Sequence, residues 1–212
     1  MDIPGGQKSG FYFDQRRNIR LLREFISAET ANAGKKGRLL DCFCYSGAFG
    51  VSLKEFHENV TFVDSSQQAL GLSEKNWDTN RQAGGSGPAQ AEYICMDAFQ
   101  YLRRTTPGEF DTIILDPPSF ARRKGEVDGA CRGYKDIFRL AMKHLRADGI
   151  LAVFCCSHHI DADLFQKVVF AAALDAGRLA QIVARFSADI DHPVSVDHPE
   201  GDYLKGLLLR VC

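Results

Sequence analysis

The chain has 212 residues, of which 45% are hydrophobic and 25% charged, and its formal net charge at pH 7 is −1. This length fits one large domain, or one domain with a short appendage. The near-neutral charge excludes a global electrostatic attraction to nucleic acid, so any RNA binding must depend on local basic patches or on a separate domain.

The first residues and the cysteines bear on where the protein works. The opening MDIPGGQKSG, residues 1–10, has no apolar core and predicts a loop rather than a signal peptide. No apolar stretch approaches the roughly 20 residues that cross a bilayer. Seven cysteines without a secretory signal argue against a disulfide framework. We therefore expect a reduced, cytoplasmic protein that is not held in a membrane.

Short apolar segments alternate with helical ones along the chain. Asp14 is placed to cap a first helix over 15–26, in which Ile19, Leu22 and Ile26 recur at helical spacing. Segments rich in β-branched and aromatic residues predict strands at 38–44, 59–64, 91–97, 110–116, 149–157 and 180–188. Helices are predicted at about 47–57, 66–81, 98–104, 134–146 and 162–176. The glycine-rich stretch 83–90 is interpreted as a surface connection.

This alternation predicts an α/β fold in which helices cover both faces of a mostly parallel sheet. The final segment, 202–212, follows the preceding strand with no room for a crossover helix. It should therefore pair antiparallel with that strand. We divide the chain into a leading loop and helix, 1–36, and a sheet domain, 37–212.

Acidic residues mark the ends of the predicted strands. Asp64, Asp97 and Asp116 end three of them, and Asp41 lies within the first strand. One such aspartate is often only a helix cap. Ligands of open α/β sheets bind outside the carboxyl ends of the strands, however, so the set predicts one pocket.

The loop after the first strand indicates what this pocket holds. Its sequence CYSGAFG, residues 44–50, lacks the several glycines that let a backbone approach a pyrophosphate. Asp64 is placed to accept hydrogen bonds from ribose hydroxyls, and Asp97 with Ala98 can meet the amine of adenine. S-adenosylmethionine, a nucleoside with a short charged tail, fits better than a nicotinamide cofactor, which remains the alternative.

The segment LDPPSF, residues 115–120, follows the fourth predicted strand. Pro117 and Pro118 each fix φ and restrict the preceding residue, which makes the turn after Asp116 stiff. A stiff turn suits a planar base held by its edge, and Phe120 could stack on the face of that base. The alternative is a rigid connecting loop.

Several motifs together resemble one family. They are FYFDQR, DCFCYSGAFG, VDSS, ILDPPSF, GACRGYKD, FCCS, DLFQK and HPEGDYLKGL. With these motifs the chain resembles class I S-adenosylmethionine-dependent RNA methyltransferases, and among them those that methylate C5 of cytosine in large-subunit ribosomal RNA. The resemblance implies a seven-stranded Rossmann-like sheet whose last strand is antiparallel. It also implies an RNA-binding PUA domain and a small β-rich region before the catalytic part, which these 212 residues do not contain.

The resemblance further implies roles for individual residues. Asp116 would lie between the cofactor and the base. The remaining cofactor contacts that it implies are Phe43, Tyr45, Ser46, Gly47, Asp64, Ser65, Asp97 and Ala98, with Gln15 and Arg16 near the methionine end.

The stretch GILAVFCCSHH, residues 149–159, raises the question of what its thiols do. Neighbouring strand residues point to opposite faces, so Cys155 and Cys156 cannot both enter one pocket, and neither a metal site nor a disulfide is favoured. Free cysteine often packs in cores, which is our interpretation for Cys42, Cys44 and Cys155. Cys156 matches the family's cysteine after the fifth strand.

Cytosine C5 is too weak a nucleophile to take a methyl group unaided. A thiolate that adds to C6 converts the ring to an enamine, which activates C5. We therefore interpret Cys156 as the nucleophile. Asp116 would stabilise the charge that develops near N3 of the ring.

The substrate side is less defined. Pro117, Pro118 and Phe120 would contact the base. The predicted loop 121–136 could hold flanking phosphates through its basic residues, or it is merely solvated. These residues are Arg122, Arg123, Lys124, Arg132 and Lys135. The target should be a single-stranded or extruded cytidine of ribosomal RNA. No metal is expected, and a homodimer is compatible with the sequence.

Two other functions remain open from the sequence. An enzyme of the same fold that methylates a guanine nitrogen in ribosomal RNA would use DPPSF but would not need Cys156. A cofactor-binding module without catalysis would need neither.

Overall fold

The structure, a computed structural model, describes residues 12–80, 89–198 and 201–212. The predicted loop 1–10 and nearly all of the glycine-rich connection lie outside the described residues. The helices are α1 (Arg16–Ala33), α2 (Ala48–Leu53), α3 (Gln67–Asn80), α4 (Ala98–Arg104), α5 (Val127–His144) and α6 (Ala162–Ala176). The strands are β1 (Gly37–Cys42), β2 (His57–Asp64), β3 (Gln90–Cys95), β4 (Phe110–Leu115), β5 (Leu145–Cys155), β6 (Ala180–Ser187) and β7 (Lys205–Val211).

The strands form one seven-stranded sheet in the order β3-β2-β1-β4-β5-β7-β6. β7 pairs antiparallel with both β5 and β6. The other neighbouring strands pair parallel. This confirms the predicted fold class, including the antiparallel last strand. β7 also inserts between β5 and β6, a position that the sequence pattern did not indicate.

Both faces of the central strands β1, β4, β5 and β7 are mostly buried, which explains why these strands are rich in apolar residues. The edge strands β3 and β6 are partly exposed. Leu39 and Leu40 of β1 are both fully buried, but they belong to different clusters because successive strand residues point to opposite faces. Leu39 packs with residues of α1, α2 and α3. Leu40 packs with residues of α4, α5 and α6.

The first helix differs from its prediction. α4 and α6 have the predicted bounds, but α1 continues to Ala33, where Gly34 ends it with φ 65°. Asp14 does not cap it, so that prediction was wrong. Asp14 lies in a 3₁₀ turn, and its carboxylate accepts a hydrogen bond of 2.5 Å from the Tyr203 hydroxyl.

The fifth helix begins earlier than predicted. α5 starts at Val127 rather than near 134, so the predicted loop 121–136 is mostly helix. Gly129 and Gly133 lower the helix propensity of this stretch and obscured its pattern. Gly133 has a packing reason, because a Cβ there would lie 3.2 Å from the Phe120 ring.

The strand order positions the ligand-binding region. β1 lies between β2 and β4, so the chain leaves β1 and β4 in opposite directions across the sheet. The loops that follow these strands therefore diverge at the carboxyl edge. Such a topological switch point is where open α/β sheets bind ligands.

Candidate active site

A large cavity opens at this switch point. Its volume is about 1220 Å³, and the ends of four adjacent strands line it through Asp64 of β2, Asp41 of β1, Asp116 after β4 and Cys156 after β5. Neighbouring strands are about 4.8 Å apart, so the two outer chain positions are roughly 14 Å apart. Ligand pockets commonly measure about 300–1,000 Å³. This cavity therefore has room for two ligands side by side.

The loop after β1 forms one wall of the cavity. Phe43 and Tyr45 adopt positive φ angles, 59° and 46°, which side-chain-bearing residues rarely do. Gly47, at φ 70°, precedes α2, and a Cβ there would lie 3.0 Å from the Ser73 hydroxyl oxygen. This tight turn places Phe43, Tyr45 and Ser46 against the cavity. Strained backbone of this kind concentrates at functional sites.

Asp64 is held rigidly at the end of β2. Its Oδ2 accepts a hydrogen bond from the Tyr45 amide at 3.0 Å, and its Oδ1 accepts one from the Ser66 amide at 2.9 Å. A carboxylate oxygen has a second lone pair, so both oxygens retain acceptor capacity. Asp64 is half-buried and lines the cavity beside Ser65. This geometry suits a pair of ribose hydroxyls.

Asp41, which belongs to the acidic set at the predicted strand ends but had no individual role, also lines the cavity. It is 1% exposed, and one of its oxygens accepts a hydrogen bond from the Gly50 amide at 2.9 Å. Burial raises the pKa of Asp41 to about 7, the Gly50 bond opposes this shift, and the charges of Asp116 and Asp64 add to it. The feature of the sequence that could have indicated a role for Asp41 is its position as a single carboxylate within a mostly apolar strand.

Asp116 and Cys156 share the cavity. Pro117 and Pro118 line it together with half-buried Asp116. The Cys156 Sγ lies 3.7 Å from the Pro117 carbonyl oxygen. The thiol therefore lies next to the turn that carries Asp116. Cys155 is fully buried instead, and burial raises the pKa of its thiol. The two adjacent cysteines therefore face different environments.

Two residues before α1 complete the wall near Asp116. The Gln15 side-chain amide donates a hydrogen bond of 3.0 Å to the Asp116 Oδ2. Tyr12 packs edge-to-face on Tyr45, with ring centroids 5.3 Å apart. Burial, followed by the charge of Asp116, raises the pKa of Tyr12 to about 12, so its hydroxyl stays neutral at pH 7. The sequence analysis did not identify Tyr12, although it lies in the FYFDQR motif.

Four of the expected cofactor residues lie outside the described lining of this cavity: Gly47, Arg16, Asp97 and Ala98. The Arg16 guanidinium pairs with Asp189 and Asp191 and lines a separate, smaller cavity. Asp97 caps α4 by accepting a hydrogen bond of 3.0 Å from the Gln100 amide, and Ala98 is buried in the core. The geometry here gives Arg16 and Asp97 structural roles.

Three expected substrate residues are also absent from the described lining. The Phe120 ring stacks on Tyr134 with centroids 4.5 Å apart, so a core residue covers it. Lys135 pairs with Asp175 of α6 at 2.8 Å, and Arg132 is exposed on α5. Arg132 and Lys135 lie away from the cavity because α5 starts early: the segment 121–136, which was expected to reach over the pocket as a loop, is mostly helix.

Further side chains line the cavity, among them one from the basic loop that was predicted to hold phosphates. Arg122 is exposed at the cavity. It lies just before the 3₁₀ turn Lys124–Glu126, which leads into α5. His158 and Tyr203 also line it, with ring centroids 5.5 Å apart, and His159 lies beside them. Arg122 was visible in the sequence as part of the basic segment after DPPSF.

Metal-binding clusters and membrane-spanning helices are absent from the residues that the structure describes. Across 12–80, 89–198 and 201–212, no group of three or more His, Cys, Asp or Glu side chains is arranged to hold a metal ion. No helix within the same ranges combines the length and apolar character needed to cross a membrane. All seven cysteines lie in the described part of the chain, and none of them forms a disulfide bond.

The family of the chain follows from a match over most of its length. The model of the methyltransferase small domain matches residues 19–176. The chain therefore belongs to the methyltransferase small domain family. Fold and family together define a Rossmann-like methyltransferase domain.

Curated relatives of this chain carry a more specific name. Ribosomal RNA large subunit methyltransferase I of Tolumonas auensis is 45% identical over 213 residues, which cover 99% of this chain and 51% of the relative. The protein of the same name from Klebsiella pneumoniae is 42% identical over 214 residues, covering 100% of this chain and 50% of the relative. The chain thus spans about half the length of these relatives.

Solved structures share the fold. SMU.776, a candidate methyltransferase solved with S-adenosylhomocysteine, superimposes with a TM-score of 0.76 at 24% identity, covering 97% of this chain and 51% of that one. The N-methyltransferase NodS from Bradyrhizobium japonicum, also solved with S-adenosylhomocysteine, has a TM-score of 0.60 at 16% identity and covers 99% of this chain and 92% of that one.

Proposed function

We propose that the chain transfers a methyl group from S-adenosylmethionine to C5 of a cytidine in large-subunit ribosomal RNA, with Cys156 as the covalent nucleophile. The observation that carries the proposal is the shared cavity: the Cys156 thiol lies 3.7 Å from the Pro117 carbonyl oxygen and lines the same space as Asp116 and Asp64. The names of the curated relatives support the substrate class.

The cofactor would occupy the half of the cavity near β1 and β2. Asp64 would accept hydrogen bonds from the ribose hydroxyls, because both of its oxygens retain lone pairs beside the bonds from Tyr45 and Ser66. Phe43, Tyr45 and Ser46 would contact the nucleoside from the tight loop. When bound, S-adenosylmethionine supplies an electrophilic methyl carbon, and the electron pair of the broken C–S bond stays on the departing sulfide.

Cys156 would act from the end of β5. Its thiolate adds to C6 of cytosine, a new S–C6 bond forms, and the electron pair of the C5–C6 double bond moves to make C5 a nucleophile. After C5 is methylated, a base removes the C5 proton. The double bond then re-forms, the S–C6 bond breaks, and the thiolate is regenerated.

Asp116 would stabilise the ring during these steps. As the thiolate adds, negative charge develops toward N3, and a carboxyl group hydrogen-bonded there can give its proton to N3 and take it back when the thiolate leaves. Pro117 and Pro118 keep this carboxyl in place because proline rings fix the turn. General acid catalysis of this type contributes about 10²–10⁴-fold to a rate.

Arg122 is our candidate for holding the RNA backbone beside the target base. It is exposed at the cavity, and arginine is a frequent ligand of phosphate oxygens. The cavity admits the base only when it has left the stack, so the substrate is a single-stranded or extruded cytidine.

Trapping the covalent adduct tests this function. RNA containing 5-fluorocytidine and S-adenosylmethionine should give a stalled protein–RNA adduct on a denaturing gel, because fluorine at C5 cannot be removed as a proton. Cys156→Ala should abolish the adduct, whereas Cys155→Ala should retain it. An adduct that persists in Cys156→Ala would assign the nucleophile elsewhere. Methylated guanine without any adduct would indicate a guanine-N methyltransferase, and cofactor binding without methylation a binding module.

A further inference from the structure

A buried line of hydrogen bonds connects α1 to the reaction centre. The Asn18 Nδ2 donates to the Gln15 Oε1 at 2.7 Å, and the Gln15 Nε2 donates to the Asp116 Oδ2 at 3.0 Å. Asn18 is 2% exposed and Gln15 is 4% exposed. The two amide side chains are therefore largely shielded from bulk water, which strengthens the bond between them, whereas the Asp116 end of the line opens into the cavity.

The order of donors and acceptors fixes the direction of this line. An amide NH₂ group only donates and an amide oxygen only accepts. Because Asn18 donates to the oxygen of Gln15, the NH₂ group of Gln15 must face Asp116. The Oδ2 of Asp116 consequently acts as an acceptor, and any proton that this carboxyl carries sits on Oδ1.

Contacts on both sides hold the segment against the sheet. The Asp189 amide donates to the Asp14 carbonyl oxygen at 3.0 Å, and the Tyr203 hydroxyl donates to the Asp14 carboxylate at 2.5 Å. These contacts come from the loop after β6 and from the residues before β7. Gln15 is therefore held relative to the strand ends rather than only to its own helix.

We propose that Gln15 and Asn18 are positioning residues that orient the Asp116 carboxyl, with Oδ2 held by Gln15 and Oδ1 presented for proton exchange with the base. This inference rests on the proposed role of Asp116. It gives Gln15 a role other than contact with the methionine end of the cofactor. A purely structural interpretation, in which the two amides only fasten α1 to the sheet, makes different predictions.

Two substitutions separate these interpretations. Gln15→Leu removes the donor to Asp116. Asn18→Asp converts the donor to Gln15 into an acceptor, so Gln15 must turn its NH₂ group away from Asp116 and present its oxygen instead. Asn80→Asp is the matched control, because Asn80 is exposed on α3 and its side chain donates only to the Asn76 carbonyl of its own helix at 2.8 Å.

The first measurement is the rate of adduct formation with 5-fluorocytidine RNA. Gln15→Leu and Asn18→Asp should each slow it by roughly 10- to 100-fold, as expected for a misoriented catalytic group, while the affinity for S-adenosylhomocysteine stays at the wild-type value. The double variant should be no slower than Gln15→Leu alone, because both changes break one line of bonds. Asn80→Asp should react at the wild-type rate.

The second measurement does not depend on catalysis. In ¹⁵N spectra, the Gln15 side-chain NH₂ resonance, identified by its loss in Gln15→Leu, should shift in Asp116→Asn and in Asn18→Leu but not in Asn80→Asp. An unmoved resonance in Asp116→Asn would overturn the inference whatever the reaction is. Variants that form the adduct at the wild-type rate would also overturn it. A wild-type protein that forms no adduct would instead overturn the proposed function, and with it the role given to these residues.

Discussion

Cys155 and Cys156 are adjacent in the chain, but Cys155 is fully buried in the core beneath α5, whereas Cys156 is half-exposed and lines the cavity of Asp116. The pleat of β5 separates them, since successive strand residues point to opposite faces. One strand thus supplies both a packing group and a candidate nucleophile.

This separation predicts that alanine substitutions of Cys155 and Cys156 change the free energy of unfolding by different amounts. Cys155→Ala should lower the free energy of unfolding by about 1–2 kcal/mol, because it removes a buried sulfur from a close-packed core. Cys156→Ala should lower the free energy of unfolding by less than Cys155→Ala does, because Cys156 is only partly buried at the edge of the core. Denaturant titration measures both values. A larger loss for Cys156→Ala than for Cys155→Ala would show that Cys156 serves packing.

Asp64→Ala should weaken S-adenosylhomocysteine binding by about 1–3 kcal/mol, because charge-assisted hydrogen bonds to the ribose are lost. Isothermal titration calorimetry measures the affinity. Asp161→Ala is the matched control, since Asp161 also accepts a backbone bond, from the Leu164 amide at 2.8 Å, but caps α6. Equal affinities of wild type and Asp64→Ala for S-adenosylhomocysteine would contradict the proposal that Asp64 binds the ribose hydroxyls.

Asp41→Asn should change how stability depends on pH. The pKa of the carboxyl is raised from its ordinary value of 3.8 to about 7 in the folded chain, chiefly by burial. The folded state therefore binds more protons than the unfolded state between these values, and this contribution to wild-type stability is lost as pH rises from about 4 to about 7. Asparagine carries no charge and can still accept the bond from Gly50.

The variant should consequently gain stability relative to wild type across that window, by up to about 4 kcal/mol above pH 7. Thermal unfolding of both proteins at intervals from pH 4 to pH 8 measures the difference. Asp161→Asn controls for the substitution itself at an exposed cap. Parallel curves for wild type and Asp41→Asn would mean that Asp41 ionises in the folded protein as it does in the unfolded one.

Arg122→Ala should weaken RNA binding and reduce its salt dependence. Loss of one phosphate contact lowers the slope of log K against log salt concentration by about 1. Lys167→Ala removes the same charge from α6, where Lys167 pairs with Asp163 at 2.6 Å, and should leave the slope unchanged. Filter binding at several salt concentrations measures the slopes. Identical slopes for Arg122→Ala and wild type would place the phosphate contact elsewhere.

The sequence predicted the order of strands and helices along the chain well, because the hydrophobic spacing of most segments, and the capping residues of some, agree with the elements they form. α4 and α6 have the predicted bounds, since their apolar residues recur at helical spacing and an aspartate precedes each. The predicted start of α5 was wrong because Gly129 and Gly133 lower the local helix propensity, and tertiary packing overrides it: a Cβ at Gly133 would lie tightly against the Phe120 ring.

The site was predictable only where strand ends mark it. Asp64, Asp116 and Cys156 line one cavity because parallel strands bring their carboxyl ends to the same edge. Side-chain partners far away in the sequence were not predictable. The ring that covers Phe120 and the carboxylate that pairs with Lys135 come from α5 and α6, and no local pattern connects them.

The insertion of β7 between β5 and β6 has a consequence for biosynthesis. The buried Lys205 ammonium at the start of β7 donates a hydrogen bond of 2.7 Å to the Ser157 carbonyl oxygen, directly after Cys156. β7 follows every other strand in the chain, so this anchor forms only after the ribosome has released that segment. The contact that anchors the chain beside Cys156 can therefore form only after the other six strands of the sheet have been synthesised.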